Sequence, residues 1–373
     1  MTVAREWGRI GCIGFGGPPA HIALLRDLCV DQRRWLTAAE FEDAIAACNL
    51  LPGPASTQLA IFSSWRVAGP LGAFVGGVAF IVPGLVVIVG LAALFLAASP
   101  PTWILGAAAG TGAAVAAVAL RAGTDLIRPS FSRTPARWRW VLYALFGAAA
   151  AATLGPWLVV ILLACGVTEV VAGRPDRGGT LGAYLWPLLA ATTSAAGGVL
   201  ALMWVAFKVG ALSYGGGFVI IPLMQGDAVD HYHWMTNAQF LNAVALGQIT
   251  PGPVVQTVAV VGFAAAGIAG ALLAAAVAFT PSFTFVLLGA PRFNQLRANA
   301  IARSFLAGAG PAAIGAILGA AVPLASALGE GWQFAVLGAA VVSLLVLRRG
   351  VVVTLLAAGT VGVIATQLGA PLP

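Results

Sequence analysis

The chain is short of charge. Only 8% of its 373 residues are Asp, Glu, Lys or Arg, and Lys208 is its single lysine. Its four cysteines, Cys12, Cys29, Cys48 and Cys165, show no C-x-x-C spacing. That speaks against a clustered metal or redox centre and leaves them as small packing residues. There is no phosphate-cradling Walker sequence, so ATP is not expected as the direct energy source. No polar stretch is longer than a short loop, so no soluble domain can be fitted in. The first residues carry no cleavable signal pattern, and the chain is expected to stay intact. What remains is apolar: 60% of residues are hydrophobic, and the mean hydropathy is +0.96. Apolar runs this long and frequent indicate an all-α polytopic membrane protein, with the lipid bilayer as its surroundings. The net charge of +7 reads as cytoplasmic loop charge, not as a nucleic-acid-binding patch.

One stretch is written twice. Residues 11–54 align without a gap to residues 210–253, at one constant offset. Gly11 matches Gly210, Gly16-Gly17 matches Gly215-Gly216, Trp35 matches Trp234, Thr37 matches Thr236, and Pro52-Gly53-Pro54 matches Pro251-Gly252-Pro253. A duplicated apolar segment broken by glycine and proline is the mark of a transporter built from two repeats. The expected division is a first repeat at 1–173, a linker at 174–198 and a second repeat at 199–373.

Within the first repeat, a short helix at 7–15 ends at Gly16-Gly17 and a second short helix follows. Thr37-Ala38-Ala39-Glu40 is a capping box opening a third. Pro54 is expected at the first position of the next helix. Full spans are expected at about 70–97, 102–121 and 138–173, the last broken at Gly155-Pro156. The second repeat follows the same order at about 199–214, 218–229, 236–249, 253–266, 267–290, 303–328 and 332–368.

Basic residues sit at 26–34, Arg66, 121–139 and 174–177 in the first repeat, but at 292–303 and Arg348-Arg349 in the second. Short loops rich in Lys and Arg stay in the cytoplasm. The alternation therefore predicts two repeats of inverted topology, with broken or re-entrant helices around a midplane site. Inversion needs an odd crossing between the halves, for which residues 181–196 are the candidate.

Two cations occupy equivalent depths: Lys208, inside an apolar helix, and its mate Arg9. An ionisable residue inside a span suggests function; the alternative is a long side chain snorkelling to the interface. The breaks themselves suggest anion binding. A helix that begins at membrane depth exposes unpaired N–H groups and the positive end of its dipole, roughly half a charge. Four starts, after Gly17, Gly53, Gly216 and Gly252, would together offer about +2 to a dianion. The candidate binding set is Lys208, Arg9, Gly16, Gly17, Gly215, Gly216, Gly217, Asn49, Pro52, Gly53, Pro54, Ser56, Thr57, Gln248, Pro251, Gly252, Pro253, Gln256 and Thr257. The other reading of the breaks is hinges or close-packing positions. Glu40, Glu42 and Asp43 are read as caps rather than proton relays. His21 is read as helix packing or a local hydrogen bond. His231 and His233, with Asp227 and Asp230, are read as a solvated loop.

Gly14-Phe15-Gly16-Gly17-Pro18 with Ala20-His21-Ile22, Arg33-Arg34-Trp35-Leu36 and Leu51-Pro52-Gly53-Pro54-Ala55-Ser56 resemble the first half of the chromate ion transporter family. Lys208-Val209-Gly210, Ser213-Tyr214-Gly215-Gly216-Gly217 and Gly247-Gln248-Ile249-Thr250-Pro251-Gly252-Pro253-Val254-Val255 resemble its second half. Asn49 stands where that family usually has glutamine. The resemblance implies a bacterial inner-membrane, two-domain chromate exporter with oppositely oriented halves. It implies no cofactor and no enzymatic step. The implied partner is chromate or a related oxyanion, and a second copy of the chain is a further candidate. A passive anion channel and, more distantly, an oxyanion-reducing membrane enzyme are the alternatives.

Overall fold

The structure is a computed structural model describing residues 1–49, 51, 53–97, 99–132, 136–153, 158–172, 198–213, 217–290 and 299–372. Among the described residues every regular element is helical, and four helices are long and apolar enough to cross a bilayer. The molecule is an all-α multi-pass membrane protein. The first repeat contains α1 (Thr2–Ile13), α2 (Pro18–Arg26), α3 (Ala38–Cys48), α4 (Ala55–Phe95), α5 (Thr102–Phe131), α6 (Arg137–Thr153) and α7 (Leu158–Ala172). The second contains α8 (Val199–Leu212), α9 (Ile220–Gln225), α10 (Asn237–Ile249), α11 (Thr257–Gly289), α12 (Ala300–Gly319), α13 (Ala321–Ser326), α14 (Gly331–Val341) and α15 (Val351–Gln367). The proposed crossing at 181–196 and the break at Gly155-Pro156 lie outside the described residues.

The duplicated sequence folds twice into the same local shapes. A π-helical turn follows α2 at Asp27–Gln32 and α9 at Gly226–His231. A left-handed residue comes next, Arg34 at φ 51° and His233 at φ 52°. Capping boxes then open α3 (Thr37 with Glu40) and α10 (Thr236 with Gln239). Each box satisfies two amides that the first helical turn leaves without partners. The second π-helical turn replaces the solvated loop expected at Asp227–His233.

Two long helices are hairpins. α4 leaves helical geometry at Ala68 and Gly69, and α11 does so at Ala266 and Gly267, the equivalent positions of the second repeat. Gly69 and Gly267 both stand near φ +60°, a conformation that costs a residue with a Cβ about 1 kcal/mol or more. The chain doubles back at each point. Added Cβ atoms would lie 2.8 Å from Ile61 Cγ1 at Gly77 and 2.7 Å from Ala274 Cβ at Gly262. In a straight helix residues 61 and 77 would be about 24 Å apart. α4 is therefore a half-depth first arm (55–67) followed by a full-depth second arm (70–95).

Charge pairs hold the open ends of two further hairpins. Arg66, near the outer end of the first arm of α4, meets Glu40 at the start of α3 at 2.6 Å. Glu6 in α1 meets Arg33 beyond α2 at 2.6 Å. α3 and the first arm of α4 thus lie side by side at their outer ends, with the corner between them at the opposite end of the pair. This is the broken-helix hairpin expected from the sequence. Two boundaries differ. Pro54 stands just outside α4 with ψ 103°, so Ala55 is the first helical residue. α5 continues past Arg121 to Phe131, since Arg121 is accommodated inside the helix by Asp125 (2.8 Å) and the Leu344 carbonyl (2.9 Å).

The halves interlock through small residues. Added Cβ atoms at Gly147 and Gly315 would collide with the backbone of Ala312 and Ala144, so α6 lies directly on α12. Gly106 and Gly110 likewise admit Gly362 and Ala358, placing α15 on α5. Each half's terminal hairpin covers a helix of the other half. Without a hydrophobic drive between helices in lipid, such backbone-level contact supplies the cohesion. We predict that Gly210→Ala lowers stability by about 1–3 kcal/mol, because its Cβ would collide with the Ala278 carbonyl. Gly90→Ala, where nothing lies within 4 Å, is expected to be neutral. Thermal melting of both variants in detergent checks this; equal tolerance would show that α8 and α11 are not closely packed.

Candidate functional site

The interior ends of the re-entrant hairpins meet. The Gly14 carbonyl accepts a hydrogen bond from the Gly252 amide at 3.0 Å and another from His21 Nε2 at 2.9 Å. The glycine turn of the first half is thereby joined to the Pro-Gly-Pro corner of the second. Added Cβ atoms would lie 3.7 Å from Val254 Cγ2 at Gly17 and 3.5 Å from Val254 Cβ at Gly217. Both glycine turns therefore converge on one side chain.

Each corner also seats on the opposite half's long arm. Gly53 faces Ser282 Oγ and the Gly210 carbonyl, 3.2 and 3.4 Å from an added Cβ. In the mirror contact, Gly84 admits the Pro251 carbonyl, and an added Cβ there would lie 2.6 Å from Gln256 Oε1. Gln256 Nε2 donates to the Ile81 carbonyl at 2.7 Å. Gly84 and Ser282 occupy equivalent positions in α4 and α11, counted from Gly69 and Gly267, so the two contacts are repeats of each other. Gly53 (φ +117°) and Gly252 (φ +95°) make the corners sharp enough to do this.

Several polar atoms here are buried without a hydrogen-bond partner among the described residues: Thr57 Oγ1, Ser213 Oγ, Gln248 Nε2, Gln256 Oε1 and Ser282 Oγ. An unmet buried donor or acceptor costs about 1–3 kcal/mol, so such a concentration marks a place built for a polar guest. Ser56 Oγ is engaged by His21 Nδ1 at 3.3 Å, and Thr257 Oγ1 by the Val254 carbonyl at 2.8 Å.

A cavity of about 470 Å³ reaches this junction. Its inner end is formed by Asn49, Leu51, Gly53 and Ala55, which includes the start of α4. Arg303, in the first turn of α12, is the only charged residue in its lining among the described residues. The volume lies within the range usual for small-ligand pockets. A second cavity of about 290 Å³ is lined by Leu105, Ala109, Gly112, Gln239, Asn242 and Gln333, among others. The two cavities are repeat-related: Leu105, Ala109 and Gly112 of one correspond in register to Arg303, Ala307 and Gly310 of the other. They differ in depth and charge. Among the described residues the smaller lining carries no charge, and in α10 it reaches only Asn242, about 13 Å of helix short of Pro251.

The sequence-derived set divides on this map. Gly17, Gly53, Gly217, Pro251, Gly252, Ser56, Thr57 and Gln256 belong to the junction or its immediate shell. Pro54 and Pro253 cap the helices that start there. Asn49 lines the larger cavity, while Gln248 is buried. Gly16 is exposed, with φ +98°. Pro52, Gly215 and Gly216 lie outside the described residues. The two cations are placed differently from the rest. Arg9 is exposed. Lys208 Nζ lies 2.6 Å from Asp227 Oδ2 and 5.7 Å from the centre of the Trp204 ring. Two positions before Gly210 along α8, it points to the side of the helix away from the Gly53 corner. Its charge is held by Asp227, a residue read from the sequence as part of a solvated loop. Sequence reasoning also missed Ser213 and Ser282, and it counted Arg303 only as loop charge. Ser282, a hydroxyl residue at the position equivalent to Gly84, was the available signal.

A family model described as chromate transporter matches residues 1–170 and 200–363. The chromate transport protein of Cupriavidus metallidurans is 34% identical over 330 residues, covering 85% of this chain and 80% of that protein. The probable chromate transport protein of Synechococcus elongatus is 31% identical, covering 85% and 82%. The chromate transport protein of Pseudomonas aeruginosa is 29% identical, covering 86% and 80%. No solved structure matches the chain.

The Lys208–Asp227 pair yields a double-mutant test. Removing one member of a buried pair costs up to about 3–5 kcal/mol, because the other charge is left unpaired. Lys208→Ala is therefore expected to melt well below the native protein, and Lys208→Ala with Asp227→Asn to regain most of the loss. A double variant as unstable as the single one would mean that the lysine serves something other than Asp227.

Proposed function

The chain belongs to the chromate transporter family, and on that premise we propose that it is a secondary transporter that exports chromate by alternating access across the bacterial inner membrane. The single observation that carries the reading is the larger cavity, which leads from Arg303 to the amide-rich start of α4 at the junction of both halves. A tetrahedral dianion drawn in by Arg303 meets the first-turn amides of α4, the Asn49 side chain and the unpartnered hydroxyls of the junction. Helix ends and neutral donors hold it without a permanent buried cation, so it can also leave.

The repeats are read as inverted. Gly123 of α5 packs on Ile317 and Leu318 of α12, and two turns further along α5, Pro129 and Ser130 share the cavity with Arg303 and Leu306. The two repeat-related helices thus run in opposite directions. The basic residues near the larger cavity support reading its mouth as cytoplasmic. The deeper cavity then faces the cytoplasm and the shallower one the periplasm, an inward-open arrangement. Rocking one half against the other exchanges their depths. Two cavities, of which one alone reaches the junction, favour a carrier over a continuous channel.

Export runs down the potential: one charge crossing about 100 mV gains roughly 2.3 kcal/mol, so a dianion gains about 4.6 kcal/mol. Chromate flux in vesicles with an imposed potential tests this. Saturable efflux that accelerates with an interior-negative potential is expected, with counter-flow of unlabelled chromate; non-saturating flux would instead indicate a channel, and indifference to potential would reject electrogenic export. Arg303→Ala is expected to raise the half-saturating concentration about tenfold, with a smaller effect on the maximal rate, an effect weakened by high salt. Unchanged half-saturation would remove Arg303 from the entry path. Sulfate as competitor in the same assay ranks the two dianions.

A further inference from the structure

His21 is fully buried at the junction, and its two ring nitrogens bond to groups with different abilities. The Gly14 carbonyl can only accept, so Nε2 carries a hydrogen. In the neutral ring Nδ1 must then accept, and Ser56 O–H must donate to it. In that state the Ser56 hydrogen is turned away from any guest at the start of α4. The pair joins three parts of the site: the glycine turn, the first turn of α4 and, through the shared Gly14 carbonyl, the Gly252 corner.

The fold itself does not require the pair. In the second repeat Ile220 stands in place of His21 and, after a one-position slip in register at the Pro-Gly-Pro corner, Val254 stands in place of Ser56. The π-helical turn and the capping box that follow adopt the same shapes in both halves, whereas α9 starts only at Ile220 and a 3-10 turn at Val254–Gln256 stands where α4 begins in the first half. A buried imidazole and hydroxyl kept in one half alone are a chemical addition to the site.

We propose that His21 couples a proton to the transported anion by reversing its hydrogen bond with Ser56. A proton from water adds to Nδ1, converting imidazole to imidazolium. Nδ1–H then donates to Ser56 Oγ, and the Ser56 hydrogen turns to a guest oxygen at the start of α4. No covalent bond other than N–H changes. Anion and proton thereby bind with positive linkage, and by reciprocity anion binding raises the proton affinity of His21. The proton also reduces the net charge moved from two to one. This rests on the chromate reading above.

The other charged groups on the elements around His21 are engaged elsewhere. On α1, Glu6 pairs with Arg33, and Arg9 is exposed. On α2, Arg26 pairs with Glu42, and on the first arm of α4, Arg66 pairs with Glu40. The second arm of α4 presents Phe80, whose ring meets that of His21 edge-on at 5.1 Å, and the Pro-Gly-Pro corner presents the Gly252 amide. The buried thiols of Cys29 and Cys48 belong to the π-helical turn after α2 and to the end of α3.

Equilibrium binding of radiolabelled chromate to the full chain in lipid nanodiscs, at pH 6 and pH 8, tests the proposal. Chromate itself takes up a proton in this range, equally for every variant, so the measured quantity is the affinity ratio between the two pH values relative to native protein. His21→Gln keeps a donor for Gly14 and an acceptor for Ser56 but cannot take up a proton; Ser56→Ala removes the hydroxyl and leaves the ring. The native ratio is expected to exceed that of each variant by at least about fivefold, tighter at pH 6. Identical ratios in all three overturn the coupling and leave chromate binding standing. Should His21→Gln fail to fold, a native ratio in Ser56→Ala overturns it equally. No chromate binding by the native protein at either pH overturns the transport reading, and the coupling with it.

Discussion

Everything in this fold answers to one constraint: a backbone that breaks off a helix inside a bilayer must find partners for its freed amides and carbonyls within the protein. Each unsatisfied group there costs several kcal/mol. The second Pro-Gly-Pro corner meets part of the requirement in trans. The Gly252 amide bonds to the Gly14 carbonyl of the other half, and Gln256 bonds to the Ile81 carbonyl. Gly53 and Gly84 let each corner press onto the opposite long arm. The second half's corner is thus completed by the first half, which is a physical reason for both copies to sit within a single chain.

The same constraint sorts the charges. In the first half the acid is on the first helix and the base beyond the π-helical turn, as Glu6 with Arg33. In the second half the polarity is reversed, as Lys208 with Asp227. The positions differ, yet each pair ties a first helix to the segment that follows the glycine turn. The membrane tolerates these ions because they are matched locally. Lys208 is therefore explained by hairpin closure, and on the proposed reading the attraction of an anion falls to helix termini and to Arg303 at the cavity mouth.

Much of this was legible in the sequence. The constant register between the two copies located both corners and both capping boxes, because backbone-determining residues such as Gly53, Gly252, Thr37 and Thr236 leave the same trace wherever they occur. The hairpin turns were visible as boundaries between expected helices near 70 and 267. What stayed hidden depended on which side chains face each other from different elements. Lys208 and Asp227 sit on opposite sides of the second glycine turn, and nothing local marks the aspartate as buried rather than solvated. Ser282 and Gly53 come together from opposite halves of the chain. Arg303 lies in a segment whose charge is equally suited to a loop, and only the course of α12 puts it in a cavity.

Symmetry in the backbone with asymmetry in the chemistry has a consequence for transport. A transporter with identical halves would present the same site to both faces and bind its guest equally tightly from each. Here the repeat-related positions carry Arg303 against Leu105, Ser56 against Val254, and His21 against Ile220. In all three cases the polar member lies at the cavity that reaches the junction, or beside its inner end; of the apolar members Leu105 lines the smaller cavity, while Ile220 and Val254 are buried outside it. The near-symmetric scaffold keeps two arrangements close in energy, as exchange of access requires. On the proposed alternating-access reading, the unequal side chains would favour capture from one face and release to the other. Direction would then be written into a few substitutions between otherwise matching halves, an anion taken up beside Arg303 meeting a neutral exit when the depths of the two cavities exchange.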